Sequence, residues 1–123
     1  TNFKYISKPT GDLLKKIYID SDVFLWTSEQ EGWGNPPLEA MAAKSCVVAT
    51  NTGSVRQIII DDYNGYVVDP LSLYGIEDKI CNLIKNKERR KEISTNGYND
   101  IQKYSWDSST DILENLLIKN FQE

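Results

Sequence analysis

Glu31 and Glu39 bracket the run Gly32-Trp33-Gly34-Asn35-Pro36-Pro37-Leu38, a set of residue types that together suit one kind of chemistry. Gly32 and Gly34 allow positive φ and a close approach of backbone to ligand. Pro36 and Pro37 fit the first turn of a helix, where a missing N–H costs nothing. The N–H groups near Gly34, Asn35, Leu38 and Glu39 are then expected to point outward and, with the helix dipole, to form an anion site. Two carboxylates beside a phosphate would repel it, unless each accepts hydrogen bonds from neutral hydroxyls on either side of a diphosphate, one from a sugar and one from a ribose. Taken singly, Glu31 reads as a solvated loop residue and Glu39 as a carboxylate complementing the helix dipole. The functional reading rests on their occurring together with two glycines, an aromatic and two prolines in fixed order.

Other chemistries are poorly supplied. The chain has no histidine, which removes Ser-His and Cys-His nucleophile pairs and most transition-metal sites, so no metal and no cofactor are expected. Cys46 and Cys81 lie far apart in unrelated apolar contexts and read as small core residues, not as a disulfide framework or zinc knuckle. A net charge of -4 argues against a nucleic-acid partner or a broad anionic surface as ligand. The one basic run, Lys85 to Lys91, alternates with Asn and Glu and reads as a solvated helix junction. Trp33 reads as a wedge that sets the loop, with stacking on a sugar as the other reading, while Trp26 and Trp106 read as core and Lys44 as structural.

The elements that must position these residues alternate in type. Phe3 to Ser7 reads as a strand, followed by a helix capped by Thr10 with Leu13, Leu14, Ile17 and Tyr18 on one face. Val23 to Trp26 suits a strand buried on both faces, and the loop Glu29 to Asn35 leads from it into a helix over Pro36 to Lys44. Cys46 to Thr50 is a second buried strand. Ser54 starts a short helix that ends at the Asp61 to Gly65 turn, and Tyr66 to Val68 is a last short strand. Beyond residue 70 the pattern is helical, with Ile76, Ile80, Leu83 and Ile84 on one face, a middle helix weakened by Gly97, and a final helix carrying Ile112, Leu113, Leu116 and Leu117. The whole, residues 1–123, is expected to be a single α/β domain. It would hold a partial doubly wound, Rossmann-like parallel sheet of about four strands flanked by helices. In such sheets ligands sit at the carboxyl ends of the strands, where the loop after Trp26 lies. No leader and no apolar stretch long enough to cross a bilayer is seen, so a cytoplasmic location is expected.

The Glu31-Gly32-Trp33-Gly34-Asn35-Pro36 and Glu39 pattern, two glutamates separated by seven residues and followed by Ala40-Met41-Ala42, resembles the signature of retaining glycosyltransferases of the GT-B fold, family 4 and its relatives. Further matching features are Val47-Val48-Ala49-Thr50, the Gly53 turn, Asn64-Gly65, Tyr66-Val67-Val68 with Pro70, and Ser105-Trp106. The resemblance covers most of the chain. It implies the C-terminal, nucleotide-sugar-binding half of such an enzyme, transferring a sugar from a nucleotide-diphosphate sugar to an acceptor with retention of configuration. Glu31 would contact the donor sugar as the catalytic-site carboxylate, Gly32, Gly34 and Asn35 would help seat sugar and diphosphate, Leu38 would meet the diphosphate through its N–H, and Glu39 the ribose.

The acceptor, whether glycan, lipid-linked sugar or small molecule, is left open. The resemblance also implies partners outside the chain: an N-terminal acceptor domain and basic residues that clamp the diphosphate. The start at Thr1, with no initiator methionine, fits a fragment or a processed protein, and 123 residues alone are expected to bind donor weakly and not to turn over. The sequence departs from the family at Lys44-Ser45-Cys46, where Gly-x-Pro is usual, and at Gln57, where a glutamate is usual. The alternatives are a non-catalytic nucleotide- or protein-binding domain of the same fold, and an epimerase or phosphorylase of the same architecture, whose signature residues are not seen.

Overall fold

A computed structural model describes residues 2–121. The described elements run α1 (Gly11–Ile19), β1 (Val23–Trp26), α2 (Asn35–Ala42), β2 (Cys46–Thr50), α3 (Val55–Ile58), β3 (Tyr66–Val68), α4 (Leu73–Lys85), α5 (Lys87–Ile101) and α6 (Trp106–Phe121). The strands make one parallel sheet in the order β1-β2-β3.

The central strand β2 is buried at every position, since both its edges are paired and both its faces covered. Successive side chains point to opposite faces. Val47 and Ala49 therefore join Tyr18, Ala40, Met41 and Ile58 in one core, while Cys46 and Val48 join Tyr66, Val68, Leu83 and Ile93 in the other. Helices α1 to α3 cover the first face, and α4 with the early part of α5 covers the second, which gives the three layers of an α/β domain.

Several expectations are corrected. Phe3 to Ser7 is not a strand, so the sheet has three strands among the described residues; Phe3 and Tyr5 are exposed, and without a neighbouring strand their alternation has no ladder to join. β1 is an edge strand, and its Leu25 is 41% exposed, so it is not buried on both faces. The α2 helix ends at Ala42, with Lys44 beyond it at φ 62 and its ammonium 4.4 Å from the Tyr98 ring centroid, a structural cation–π contact. Ile84 is exposed on α4, whereas Leu83 is the fully buried anchor.

Gly97 is a site of close packing, not a weak point. A Cβ there would lie 2.9 Å from the Asn64 carbonyl oxygen, so α5 can approach the turn before β3 this closely only with a glycine at this position, and 3.4 Å from the Met41 Cε of α2. Of the cysteines, Cys46 is core, its thiol pushed up to about 12 by burial, but Cys81 is exposed. The basic run is only partly solvated: Arg90 donates to the Leu83 carbonyl at 2.8 Å. Trp106 is 89% exposed instead of core, and Ile112, Leu113 and Leu117 of α6 are also exposed. No helix among the described residues is long and apolar enough to cross a membrane.

Candidate functional site

Parallel pairing makes β1 and β2 end together. Trp26 stands opposite Ala49, so the loop that follows β1 and the turn that follows β2 emerge side by side. Two ties then join them. The Thr50 hydroxyl donates to the Ser28 carbonyl at 2.6 Å. The Ser54 N–H and hydroxyl both donate to the Trp33 carbonyl, at 2.9 and 2.6 Å. The turn must carry glycine at position 53: φ is +55, and a Cβ would lie 2.7 Å from the Trp33 carbonyl oxygen.

The loop held in this way presents Glu31. Its carboxylate accepts from the Ser28 hydroxyl at 3.1 Å and is exposed on a cleft of ≈ 620 Å³ lined also by Glu29, Gly32, Asn51, Thr52 and Gly53. The Thr52 hydroxyl, in the wall, is buried without a protein partner. Gly32 does not need positive φ, contrary to expectation, and nothing lies within 4 Å of where its Cβ would be, so it borders open space in the cleft.

Gly34 does require glycine, at φ 86, and forms the N-cap of α2. No side chain caps this end. Counting from Asn35, the N–H groups left without an intrahelical acceptor are those of Gly34 and Asn35, because Pro36 and Pro37 have none. Leu38 supplies the next N–H, where the helical ladder begins. An uncapped N-terminus with free N–H groups and the positive end of the dipole suits an anion.

Glu39 lies in the second turn of α2, not the first, so it does not serve as a first-turn dipole partner. It is exposed and stands beside the Tyr18 side chain, with which it lines one cleft. Burial first, and then the Glu39 carboxylate, push the Tyr18 phenol well above its ordinary range. Glu39 lines a cleft of ≈ 380 Å³ between α1 and α2, and a second of ≈ 650 Å³ shared with Trp33, Asn35 and Leu38 and walled opposite by Gln102, Tyr104 and Trp106. Trp33 is half exposed there and is not buried as a wedge.

The expected site residues are thus brought to one end of α2 but not into one cavity. Glu31 and Gly32 share one cleft, Asn35, Leu38 and Glu39 another, and Gly34 stands at the helix start that separates them. Sequence reasoning missed Thr50 and Ser54, which tie the loop, Asn51 and Thr52, which line the Glu31 cleft, and Tyr18, which lines a cleft with Glu39. The apolar run ending at Trp26 and the Gly53 turn were the available signals; only the register joins them. Among the described residues no group of His, Cys, Asp or Glu side chains is arranged to hold a metal ion. The geometry suits an anion at the helix end with polar hydroxyl-bearing groups to each side.

Residues 2–100 match the profile of a family described as glycosyl transferases group 1. An uncharacterized glycosyltransferase of Methanocaldococcus jannaschii, MJ1178, is 38% identical over 80 residues, which is 65% of this chain and 23% of that protein. The solved C-terminal domain of a glycosyl transferase group 1 family protein (LpcC) from Francisella tularensis superposes with a TM-score of 0.73 at 38% identity, covering 82% of this chain and 51% of that one. A mutant of S. aureus TarM, solved in complex with fondaparinux, alpha-GlcNAc-glycerol and UDP, does so with a TM-score of 0.74 at 32% identity, covering 83% and 21%. The chain spans between 21% and 25% of the length of the first curated relatives it matches.

Proposed function

The chain belongs to the group 1 glycosyl transferases, and on that premise we propose that its parent protein moves a sugar from a nucleoside-diphosphate sugar to an acceptor, with this chain supplying part of the donor site. One observation carries the reading: the uncapped start of α2 is flanked by two exposed carboxylates, Glu31 before it and Glu39 one turn into it. The N–H groups of Gly34 and Asn35, with Leu38 behind them, take the diphosphate. Glu31 takes hydroxyls of the donor sugar across the opening left by Gly32, and Glu39 takes the ribose. The UDP bound in the TarM complex supports a nucleotide ligand for this fold.

In the reaction, the bond from the anomeric carbon to the diphosphate oxygen breaks and a bond to the acceptor oxygen forms on the same face. The acceptor proton passes to the departing phosphate. Negative charge grows on the diphosphate as it leaves, and preorganised backbone dipoles at a helix start stabilise such charge without reorganising. No metal or cofactor is required by this scheme. The acceptor and the rest of the diphosphate contacts come from the remaining length of the protein. The 123-residue chain by itself is therefore expected to bind donor weakly and to give no turnover.

The test is to screen nucleotide sugars with the full-length protein for release of nucleoside diphosphate, determine the product anomer by NMR, and compare Glu31→Ala. Loss of a hydrogen-bonding group that acts in the transition state is expected to lower kcat by about 100-fold or more. Undiminished transfer by that variant would refute the role of Glu31, and an inverted product would refute retention.

A further inference from the structure

Asn51 and Thr52 stand in the wall of the Glu31 cleft, between two residues that the fold uses as ties. On one side the Thr50 hydroxyl donates to the Ser28 carbonyl at 2.6 Å, and on the other the Ser54 N–H and hydroxyl donate to the Trp33 carbonyl. The segment 51–53 is therefore held across from 29–32. Gly53, whose Cβ position would lie 3.2 Å from the Glu31 Cβ, marks how near the two come. The Asn51 backbone is fixed as well, since its N–H donates to the Val68 carbonyl at 3.0 Å. Its side-chain amide, on a half-buried residue, makes no hydrogen bond among the described residues. The Thr52 hydroxyl next to it is buried and likewise without a partner. This wall carries hydrogen-bonding capacity that the protein leaves unused, and it faces the carboxylate that Ser28 already orients.

We propose that Asn51 is a specificity-determining residue for the donor sugar: its amide reads the ring hydroxyl adjacent to the one that Glu31 holds, and so selects between epimers. This rests on the reading of the Glu31 cleft as the place of the sugar. No lysine or arginine lines that cleft, so a ring there is selected by hydrogen bonds and not by charge. An ionised carboxylate only accepts, and it takes any hydroxyl within reach. It holds a sugar but discriminates poorly. A primary amide both donates and accepts, at two places fixed by one plane. Of two neighbouring ring hydroxyls, one donates to Glu31 and the next pairs with the amide. Inverting the second at its carbon moves it to the other side of the ring and leaves the amide unpaired, which is how a site built to bond a hydroxyl rejects an analogue. The fixed backbone of Asn51 holds the amide in place before the ligand arrives.

The test uses the full-length protein and pairs of donors that differ only in one hydroxyl's configuration: UDP-glucose with UDP-galactose, UDP-N-acetylglucosamine with UDP-N-acetylgalactosamine, and GDP-mannose with GDP-glucose. The pair containing the best donor is taken, and kcat/KM is measured for both members in wild type, Asn51→Ala and Asn51→Ser. Asn51→Ala is expected to lower kcat/KM for the preferred donor by roughly three- to tenfold, the range for one neutral hydrogen bond, and to leave the epimer within about twofold of wild type. The preference between the two falls by the same factor. Asn51→Ser keeps a small polar group at the turn that does not reach the ring, guards against a variant that fails to fold, and should shift the preference the same way. Affinity for the nucleoside diphosphate alone, which has no sugar, should stay within about twofold in both variants by calorimetry. An equal fall for both epimers would mean a merely structural role and overturns the inference, as does an unchanged preference. Undiminished transfer by Glu31→Ala, or no donor at all among the six, overturns the underlying reading of the cleft instead.

Discussion

Replacing Gly53 with alanine tests whether the turn after β2 sets the loop that carries Glu31. Two separate costs follow from the structure. At φ +55 an alanine is in the left-handed region, which costs roughly 1–2 kcal/mol. Its Cβ would also lie 2.7 Å from the Trp33 carbonyl oxygen and 3.2 Å from both the Trp33 carbonyl carbon and the Glu31 Cβ. Relief requires the loop backbone to move away, which stretches the two bonds that Ser54 donates to the same carbonyl, each worth about 1 kcal/mol net. Alanine returns about 0.4–1 kcal/mol by restricting the unfolded chain. The balance is a loss of about 2–3.5 kcal/mol. Two other glycines separate the contributions. Gly11 has φ +56 with nothing within 4 Å of its Cβ position, so Gly11→Ala reports strain alone; Gly32 has neither strain nor contact, so Gly32→Ala should be near neutral. Urea denaturation of the three variants, at unchanged m, should rank their midpoints Gly32→Ala, then Gly11→Ala, then Gly53→Ala lowest. A Gly53→Ala midpoint no lower than that of Gly11→Ala would refute the argument that the Trp33 carbonyl is pressed against this turn.

Two further predictions concern the elements behind the site. Asn64 is buried, accepts from the Ile60 N–H at 2.7 Å and donates to the Ile58 carbonyl at 3.2 Å and the Asp100 carboxylate at 2.9 Å. Asn64→Ala strands those groups and should cost about 2–4 kcal/mol by chemical denaturation, with Asn64→Asp no better because it sets a second carboxylate against Asp100; a loss under about 0.5 kcal/mol would contradict this. The Arg89 guanidinium, bonded to Asp62 at 3.0 Å, holds that carboxyl below its usual 3.8. A depressed folded value means that the stabilisation is present above 3.8 and is lost as pH falls through the lower folded value. Asp62→Asn should therefore have a lower denaturation midpoint than wild type at neutral pH, with the gap closing in acid; a gap that does not change with pH would count against the pairing.

What can be read from the chain is what is local. The Glu31 to Glu39 run lies in nine consecutive positions, and the buried strand Cys46–Thr50 is a continuous apolar stretch between turn residues, so both are visible without a fold. Phe3 to Ser7 misleads because alternation shows only that a segment is competent to be a strand, and a strand exists only where another lies beside it. Trp106 misleads for a related reason, since apolarity alone does not say what stands opposite a side chain. The ties that hold the site were not legible. Thr50 reaches Ser28 across 22 positions, and Ser54 reaches Trp33 across 21. No period or propensity links such pairs; they follow from the register that sets Trp26 opposite Ala49.

The two glutamates pose an electrostatic question that the geometry helps to answer. A carboxylate near a bound diphosphate costs affinity unless it is neutralised or turned toward something neutral. Among the described residues neither Glu31 nor Glu39 is in an ion pair; the Ser28 hydroxyl engages Glu31, and the Tyr18 phenol shares a cleft with Glu39. A cation would have cancelled the charge and taken the strongest acceptor positions. A hydroxyl orients the carboxylate and leaves its charge and most of its acceptor sites for ligand hydroxyls. The two carboxylates also line different clefts, with the uncapped start of α2 between them in sequence, so on the proposed reading backbone N–H groups would meet the anion and each carboxylate would be left for neutral groups. A ligand with charge in the middle and hydroxyls at both ends fits that alternation, whereas a plain phosphate would gain the helix end and meet both carboxylates without compensation. Inorganic phosphate or pyrophosphate should accordingly compete poorly with a nucleoside diphosphate for this site, and removing either carboxylate should narrow the difference.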